Sequence, residues 1–439
     1  MTDSLPLDVG RQAHQLAKQL WPINRSITGN GVRETLKILS GHLPGLDIIE
    51  VPSGQKVFDW EIPKEWFVRE AWIEAPDGRR LCDLNANNLH LVGYSVGVDK
   101  IITKNELEKH LFSLPEKPEA IPYITSYYEE FWGFCITDLE RQTLQEGNYR
   151  VYIDADLFEG SLTYGELIIK GNSEREVFLS TYVCHPSMAN NELSGPCVVT
   201  FLAKWLTNLP NLEHTYRIVF VPETIGSIAY LSKNLNSMQA NVVAGFNVTC
   251  IGDERAYSYI PSRGGQTISD KAAKHVLRFI DPDFIQYSWT DRGSDERQYC
   301  APHIDLPIAS ILRSKFLSYD EYHTSLDNLE TVVTEKGLAG GFEAIRRALE
   351  VIENNAYPNV TVLCEPQMGR RGLYPNISDQ RSYKNTNLMM DLVSYSDGQM
   401  SLLEIADKCD APFWELCELA NELAEVGVLE LGQHPSIVD

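Results

Sequence analysis

The sequence predicts an α/β fold, a mixed and largely parallel sheet between helices, together with a β-rich module and a C-terminal winged helix. Three observations carry the prediction. Apolar runs alternate with helix-like stretches over residues 151–355, tryptophans and turn signals gather in residues 58–150, and residues 385–439 follow a helix, turn, helix, helix, strand order. The 439 residues are 43% hydrophobic and 23% charged, which excludes a disordered or collagen-like chain. At about 150 residues per domain, the length accommodates roughly three.

Residues 8–57 read as helical. Val9–Leu20 spaces Ala13, Leu16 and Leu20 on one face, and a second helix starts after Thr28-Gly29 and runs through Leu39. From residue 58 the texture changes. Four of the eight tryptophans (Trp60, Trp66, Trp72, Trp132) fall before residue 150 beside the turn Pro76-Asp77-Gly78, a pattern of short strands. This stretch either precedes the main domain or is inserted in it, according to where the first helices pack.

Over residues 151–355 the runs Glu176–Cys184, Arg217–Val221, Val242–Val248 and Pro307–Leu312 are continuous, as strands buried on both faces are. The helix-like stretches Ser194–Leu206, Gly226–Leu235, Ser269–Phe279 and Lys336–Ile352 alternate with them, which predicts a layered α/β domain. Residues 356–384 hold three prolines and Arg370-Arg371-Gly372, and read as a linker or a wrapping segment. Beyond them, Ser401 with Glu404 three residues on forms a capping box, and Pro412 suits a first helical turn. A strand follows at Gly427–Leu431.

Charge narrows the function. The chain holds 38 Lys and Arg against 61 Asp and Glu, a net of −23, and the candidate recognition helix displays Glu415, Glu418, Glu422 and Glu425. Such a surface repels phosphate, so no nucleic acid is expected as a partner. No stretch approaches the ~18 uncharged apolar residues of a membrane helix, and Met1–Gly10 has neither signal nor transit character. Nine scattered cysteines without a C-x-x-C pair fit reduced thiols. A cytoplasmic protein with no membrane partner is expected. Trp414, Leu416, Leu419 and Leu423 exceed the apolar need of one thin domain, and they predict a protein-contact module, either intramolecular or at a homodimer interface through the C-terminal domain.

In open α/β sheets, sites form beyond the carboxyl ends of strands. Four predicted strands end in polar residues: His185 to Ser194, Glu223-Thr224, Asn247-Val248-Thr249, and the last leading to Tyr322-His323-Thr324, with Ser294-Asp295-Glu296 just ahead of it. Imidazoles and carboxylates gathered at one sheet edge can bind a divalent metal, and zinc accepts both kinds of ligand. His185, Glu192 and His323 are the candidate ligands. Glu223 is the candidate base that takes a water's proton. Cys184 reads as a small buried hydrophobe. Arg292 and Arg313 are candidates for a substrate carboxylate or phosphate, because a guanidinium fork suits such anions.

The order His185, Asn191-Glu192-Leu193-Ser194-Gly195, Glu223-Thr224-Ile225-Gly226, Ser294-Asp295, Tyr322-His323-Thr324, Asp327 resembles the zinc-dependent aminopeptidases of the bacterial leucyl and glutamate carboxypeptidase type. Nearly the whole chain is similar to a bacterial family of aminopeptidase-like proteins often found near polysaccharide or natural-product biosynthesis genes. The segments Leu20–Ser26, Gly93–Val96 and Arg371–Pro375 carry that second likeness. It implies an aminopeptidase-like α/β domain over residues 1–57 and 151–355, an inserted β-rich module over 58–150, the linker at 356–384 and a winged-helix-like domain at 385–439. By the same resemblance, His185 and His323 match the first and last metal ligands and Glu223 the general base. Three carboxylate ligands of a two-metal site are neutral here, as Asn191, Thr224 and Asn247. One zinc per chain, held by His185, Glu192 and His323, is therefore expected, with Asn191, Asn247, Asp295 and Glu296 around it or facing a substrate amine.

Two functions follow as expectations. The first is a metal-dependent hydrolase of an amide bond in a small peptide or amino-acid conjugate. The second is a non-catalytic binding or assembly protein on a decayed peptidase scaffold, related to polysaccharide or natural-product biosynthesis.

Overall fold

Four strands that the apolar runs predict stand side by side and parallel, in the order Thr215–Val221, Glu176–Tyr182, Val242–Asn247, Ile308–Leu312. This is a computed structural model, and it describes residues 4–373 and 380–432. Met1–Asp3 of the N-terminal segment, Tyr374 and Pro375 of the Arg371–Pro375 segment, and the tail after Gly432 lie outside the described residues. Glu176–Tyr182 is buried at every position, as its unbroken apolar run requires. Its one charge is met by Arg217, whose Nε donates to Glu176 Oε2 at 2.6 Å.

Four further strands widen the sheet to eight, three through antiparallel pairs and Ile285–Gln286 parallel to Ser258–Ile260. Asp47–Pro52 and Ser161–Ile169 extend one side, and Ser258–Ile260 and Ile285–Gln286 the other. Asp47–Pro52 lies in the stretch read as helical; its short alternation, mostly exposed, gave little signal. The β-rich module is inserted between two paired strands. Pro52 faces Ser161 in the main sheet, while Glu65 faces Phe158 in a four-stranded antiparallel sheet ordered Arg80–Leu81, Glu65–Glu74, Asn148–Phe158, Val98–Thr103. The chain therefore leaves the main sheet and returns to it at neighbouring points.

Two compact units divide the chain: Met1–Thr267 with Ile285–Glu343, and Ile268–Phe284 with Ala344–Asp439. In the second, Tyr357–Val360, inside the stretch read as a linker, pairs antiparallel with Leu429–Gly432. Helix Gln380–Tyr395 also begins inside that stretch, ahead of Leu402–Lys408 and Phe413–Glu425. The capping box at Ser401 and Glu404 forms as predicted. His275, on helix Ile268–Ile280, ties this unit together: its Nδ1 lies 2.7 Å from Asp407 and its Nε2 accepts the backbone N–H of Phe413 at 2.9 Å. Leu416 and Leu423 are buried, and Trp414 is packed by Arg347 and Phe279. The apolar residues that predict a contact module are thus largely used within the unit. Among the described residues no helix is long and apolar enough to cross a membrane.

Candidate functional site

The strand Glu176–Tyr182 is followed in sequence by Thr215–Val221 on one side and by Val242–Asn247 on the other. The strand order reverses there, and a crevice opens at the carboxyl end of such a strand. His185 lies three residues past that end. A π-helical turn, Ala189–Leu193, carries Asn191 and Glu192 and leads into helix Ser194–Thr207. Turns of this kind recur at functional sites. Gly195 lets the helix start press on the sheet: a Cβ there would lie 2.5 Å from the Val248 carbonyl. Asp327 fixes the turn, accepting the backbone N–H of Asn190 at 2.7 Å and of Asn191 at 3.0 Å. Burial pushes the Asp327 carboxyl up to about 6, against those two bonds.

His185 is held from behind. Its Nδ1 lies 3.2 Å from Glu192 Oε2 and 3.2 Å from Cys184 Sγ. Arg25, fully enclosed, donates from Nε to the His185 carbonyl at 2.9 Å and from Nη1 to Leu20 O at 2.8 Å, and pairs with Glu192 Oε1 at 3.3 Å. Burial pushes Glu192 up to about 8, with the Arg25 charge opposing it. On its other nitrogen, His185 Nε2 lies 3.7 Å from Glu223 Oε2, and the His323 ring centroid is 5.6 Å from that of His185. Burial, and then Arg25, lowers His185 to about 3; burial, and then His185, lowers His323 to about 3. Both imidazoles are therefore neutral near pH 7, with a ring lone pair free to bind a metal.

Glu223 and His323 are both neighbours of His185, at 3.7 Å from its Nε2 and 5.6 Å between ring centroids. Glu192, expected as a ligand, meets the other ring nitrogen. Its carboxylate is engaged by His185 Nδ1 and Arg25, on the side of the imidazole away from Glu223. Among the described residues, the His, Cys, Asp and Glu donors that lie within 4.8 Å of one another are Cys184, His185 and Glu192; neither His323 nor Glu223 completes such a group with His185. Cys184, read as a bare hydrophobe, also accepts the Glu223 backbone N–H at 3.1 Å and so helps to place the base.

An acidic knot lies behind Glu223. Burial and then Asp295 push Glu223 up to about 8, and Asp295 itself is raised to about 6 by burial. Asp295 Oδ1 accepts the Thr224 N–H at 2.7 Å and the Ser227 hydroxyl at 2.7 Å. Glu296 is fixed by the N–H groups of Gly293 and Ser294, and accepts from Asn247 Nδ2 at 3.0 Å. Asn191 Oδ1, Asn247 Oδ1 and Asp295 Oδ2 are buried acceptors without a donor. A site rich in unmet acceptors suits a cation or a substrate ammonium. Thr224 and His323 both hold left-handed backbone, with φ of 65° and 55°. Such conformations in a β-branched or bulky residue persist only where neighbours enforce them, commonly at functional sites. Arg313 stands apart, its guanidinium 3.8 Å over the Tyr257 ring. Arg292 is exposed and lines a cleft with Arg297.

Sequence reasoning missed the contribution of the inserted module. Its segment 121–125 runs along the loop that carries His323: Tyr123 N–H donates to His323 O at 3.0 Å, and Ile121 and Ser325 exchange bonds. The Tyr123 ring sits 5.1 Å from His185 and 5.2 Å from His323, and Tyr322 stacks on His323 at 3.9 Å. Nothing local in the Tyr123 segment announces a site. Arg25 lies in the Leu20–Ser26 segment singled out for its likeness to the aminopeptidase-like family, although no role was assigned to it.

A two-metal arrangement does not fit these residues. Thr224 Oγ1 accepts from Arg297 at 2.7 Å, and Asn191 and Asn247 present neutral amide oxygens in place of the carboxylates whose charge holds two dications together. The neutral imidazoles of His185 and His323 are donors of the kind a divalent cation takes.

Comparison with known proteins agrees with this fold. A family described as a domain of unknown function, DUF4910, matches residues 14–355, and a winged helix-turn-helix family matches residues 355–431. A Clostridium acetobutylicum protein, named for polysaccharide biosynthesis with an aminopeptidase-like domain, is 42% identical over 426 residues, covering 97% of each chain. A crystal structure of a candidate peptidase from Clostridium acetobutylicum superposes with a TM-score of 0.91 at 40% identity, again over 97% of both chains. The zinc aminopeptidase BSAP of Bacillus subtilis shares the fold at 13% identity, with a TM-score of 0.56 over 78% of this chain and 95% of its own.

Proposed function

The chain belongs to the DUF4910 family, joined to a winged helix-turn-helix, and from that premise we propose that it is a single-metal hydrolase of an amide bond in a small peptide or amino-acid conjugate. One observation carries the reading. His185 has its Nδ1 tied to Glu192, so that Nε2 is presented 3.7 Å from Glu223 Oε2 in the space that His323 also faces. A carboxylate behind a ligand imidazole sets its tautomer and raises its basicity.

His185 and His323 would hold the cation, which when bound supplies Lewis acidity toward the substrate carbonyl and a more acidic water. The alternative pocket of Cys184, His185 Nδ1 and Glu192 is disfavoured, because the Arg25 guanidinium already neutralises Glu192. In its ionised form, which a bound cation would favour against the burial that raises the carboxyl to about 8, Glu223 Oε2 accepts the proton of the attacking water and returns it to the leaving amine. Asn191, Asn247 and Asp295 offer acceptor oxygens to a substrate ammonium. Tyr123 and Tyr322 pack against the imidazoles and keep bulk water from them.

The neutral residues at positions 191, 224 and 247 favour a second reading, a binding or assembly protein without turnover. The name of the Clostridium acetobutylicum relative makes aminoacyl or peptidyl conjugates of sugars the first substrates to try under either reading. The test is Glu223→Gln, assayed on a panel of such amides. Loss of general-base catalysis lowers turnover about 10²- to 10⁴-fold with bound metal unchanged. Equal turnover in the variant, or none in the parent chain, rejects the hydrolase.

A further inference from the structure

We propose that the cleft beside Glu223, about 480 Å³ in volume and lined by Arg263, Arg292, Arg297 and Trp289, binds a phosphate group carried by the substrate. In a chain of net charge −23, most surface arginines are paired with carboxylates. Arg292 and Arg297 have no carboxylate partner within ion-pair distance among the described residues. Arg292 Nη1 donates to the Trp289 carbonyl at 3.2 Å, with its guanidinium 4.9 Å over the Trp289 ring, while Arg297 Nη2 donates to Thr224 Oγ1 at 2.7 Å. Arg263 is balanced by Asp305 at 2.5 Å. The nearby acid Asp291 is tied back to Ser288 as the cap of its own turn.

Two guanidinium groups without a direct ion pair therefore line one concave surface, although the Arg297 charge also acts at longer range on Glu223 and Asp295. That charge matches a phosphate dianion better than a single carboxylate, and guanidinium forks bind its oxygens with charge-assisted hydrogen bonds. The position supplies the link to chemistry. Thr224, held by Arg297, follows the base Glu223 directly in sequence, so the cleft borders the turn that carries Glu223. The substrate class is then a phosphate-bearing amide, such as a phosphorylated amino-acid conjugate. This inference rests on the hydrolase reading for the amide and stands separately for the phosphate.

The test is calorimetric titration of the full chain with inorganic pyrophosphate, inorganic phosphate and acetate. Pyrophosphate should bind the parent chain and the Glu223→Gln variant alike, and acetate should bind neither. Arg292→Gln and Arg297→Gln should each weaken pyrophosphate binding about tenfold or more, the loss expected for charge-assisted bonds. Both residues are exposed, and circular dichroism checks that the variants fold. Absence of binding to the parent chain, unchanged affinity in both arginine variants, or equal binding of acetate overturns the proposal. If phosphate binding holds while Glu223→Gln retains turnover, the hydrolase reading fails and the anion site survives.

Discussion

Replacing Arg25 with Met tests the tie behind His185. Both Arg25 and Glu192 have side chains with no exposed surface, and the guanidinium also serves two backbone carbonyls. Methionine keeps much of the volume but leaves Glu192, whose carboxyl burial already raises to about 8, without its cation; at about pH 9, where it is ionised beside Arg25, the loss is about 3–5 kcal/mol. The two carbonyl bonds are part of the same network, so their cost is not added separately. Glu192→Gln in the Arg25→Met background removes the stranded carboxylate while its amide oxygen can still accept from His185 Nδ1. That second change should return about 1–3 kcal/mol, the coupling of groups in direct contact. Urea unfolding followed by tryptophan fluorescence reads this, because seven of the eight tryptophans lie in the unit that contains Arg25. A midpoint change worth less than about 1 kcal/mol for Arg25→Met, or a double variant no more stable than Arg25→Met alone, refutes the argument.

Two further perturbations address the elements around the site and the second unit. Tyr123→Ala removes the ring packed between His185 and His323 and should weaken zinc binding about 10- to 100-fold in competition with a chelator, the usual loss for an outer partner; affinity equal to the parent would show that the module only covers the site. His275→Ala strips the partner from Phe413 N–H and leaves Asp407 with Arg278 alone, and should cost about 1–3 kcal/mol locally, seen as faster hydrogen exchange over residues 402–425 with none over 176–182; unchanged protection at 402–425 counts against the pin.

The central strands were legible because burial on both faces writes itself as unbroken apolar runs, and Glu176–Cys184 is such a run. The convergence of His185, Glu223 and His323 followed from parallel strands sharing one edge, so placing titratable residues at strand ends was enough to bring them near one another. The orientation of Glu192 was not legible, because spacing alone does not say which way a carboxylate turns. One place after Asn191 it could face a cation or the back of His185, and only the Arg25 side chain, far away in sequence, decides between them. Tyr123 was invisible for the same reason: its role depends on an inserted module folding back along the His323 loop. Asp47–Pro52 was lost to its brevity, and Tyr357–Val360 to a proline-rich context whose strand partner comes some seventy residues later.

The central claim is that two imidazoles share one cation, and elemental analysis of the full chain purified without chelators tests it most directly. About one divalent cation per chain is expected, lost in both His185→Ala and His323→Ala and kept in Glu223→Gln. A chain that carries no cation contradicts the account, and so does one that keeps its cation in His323→Ala but loses it in Cys184→Ser.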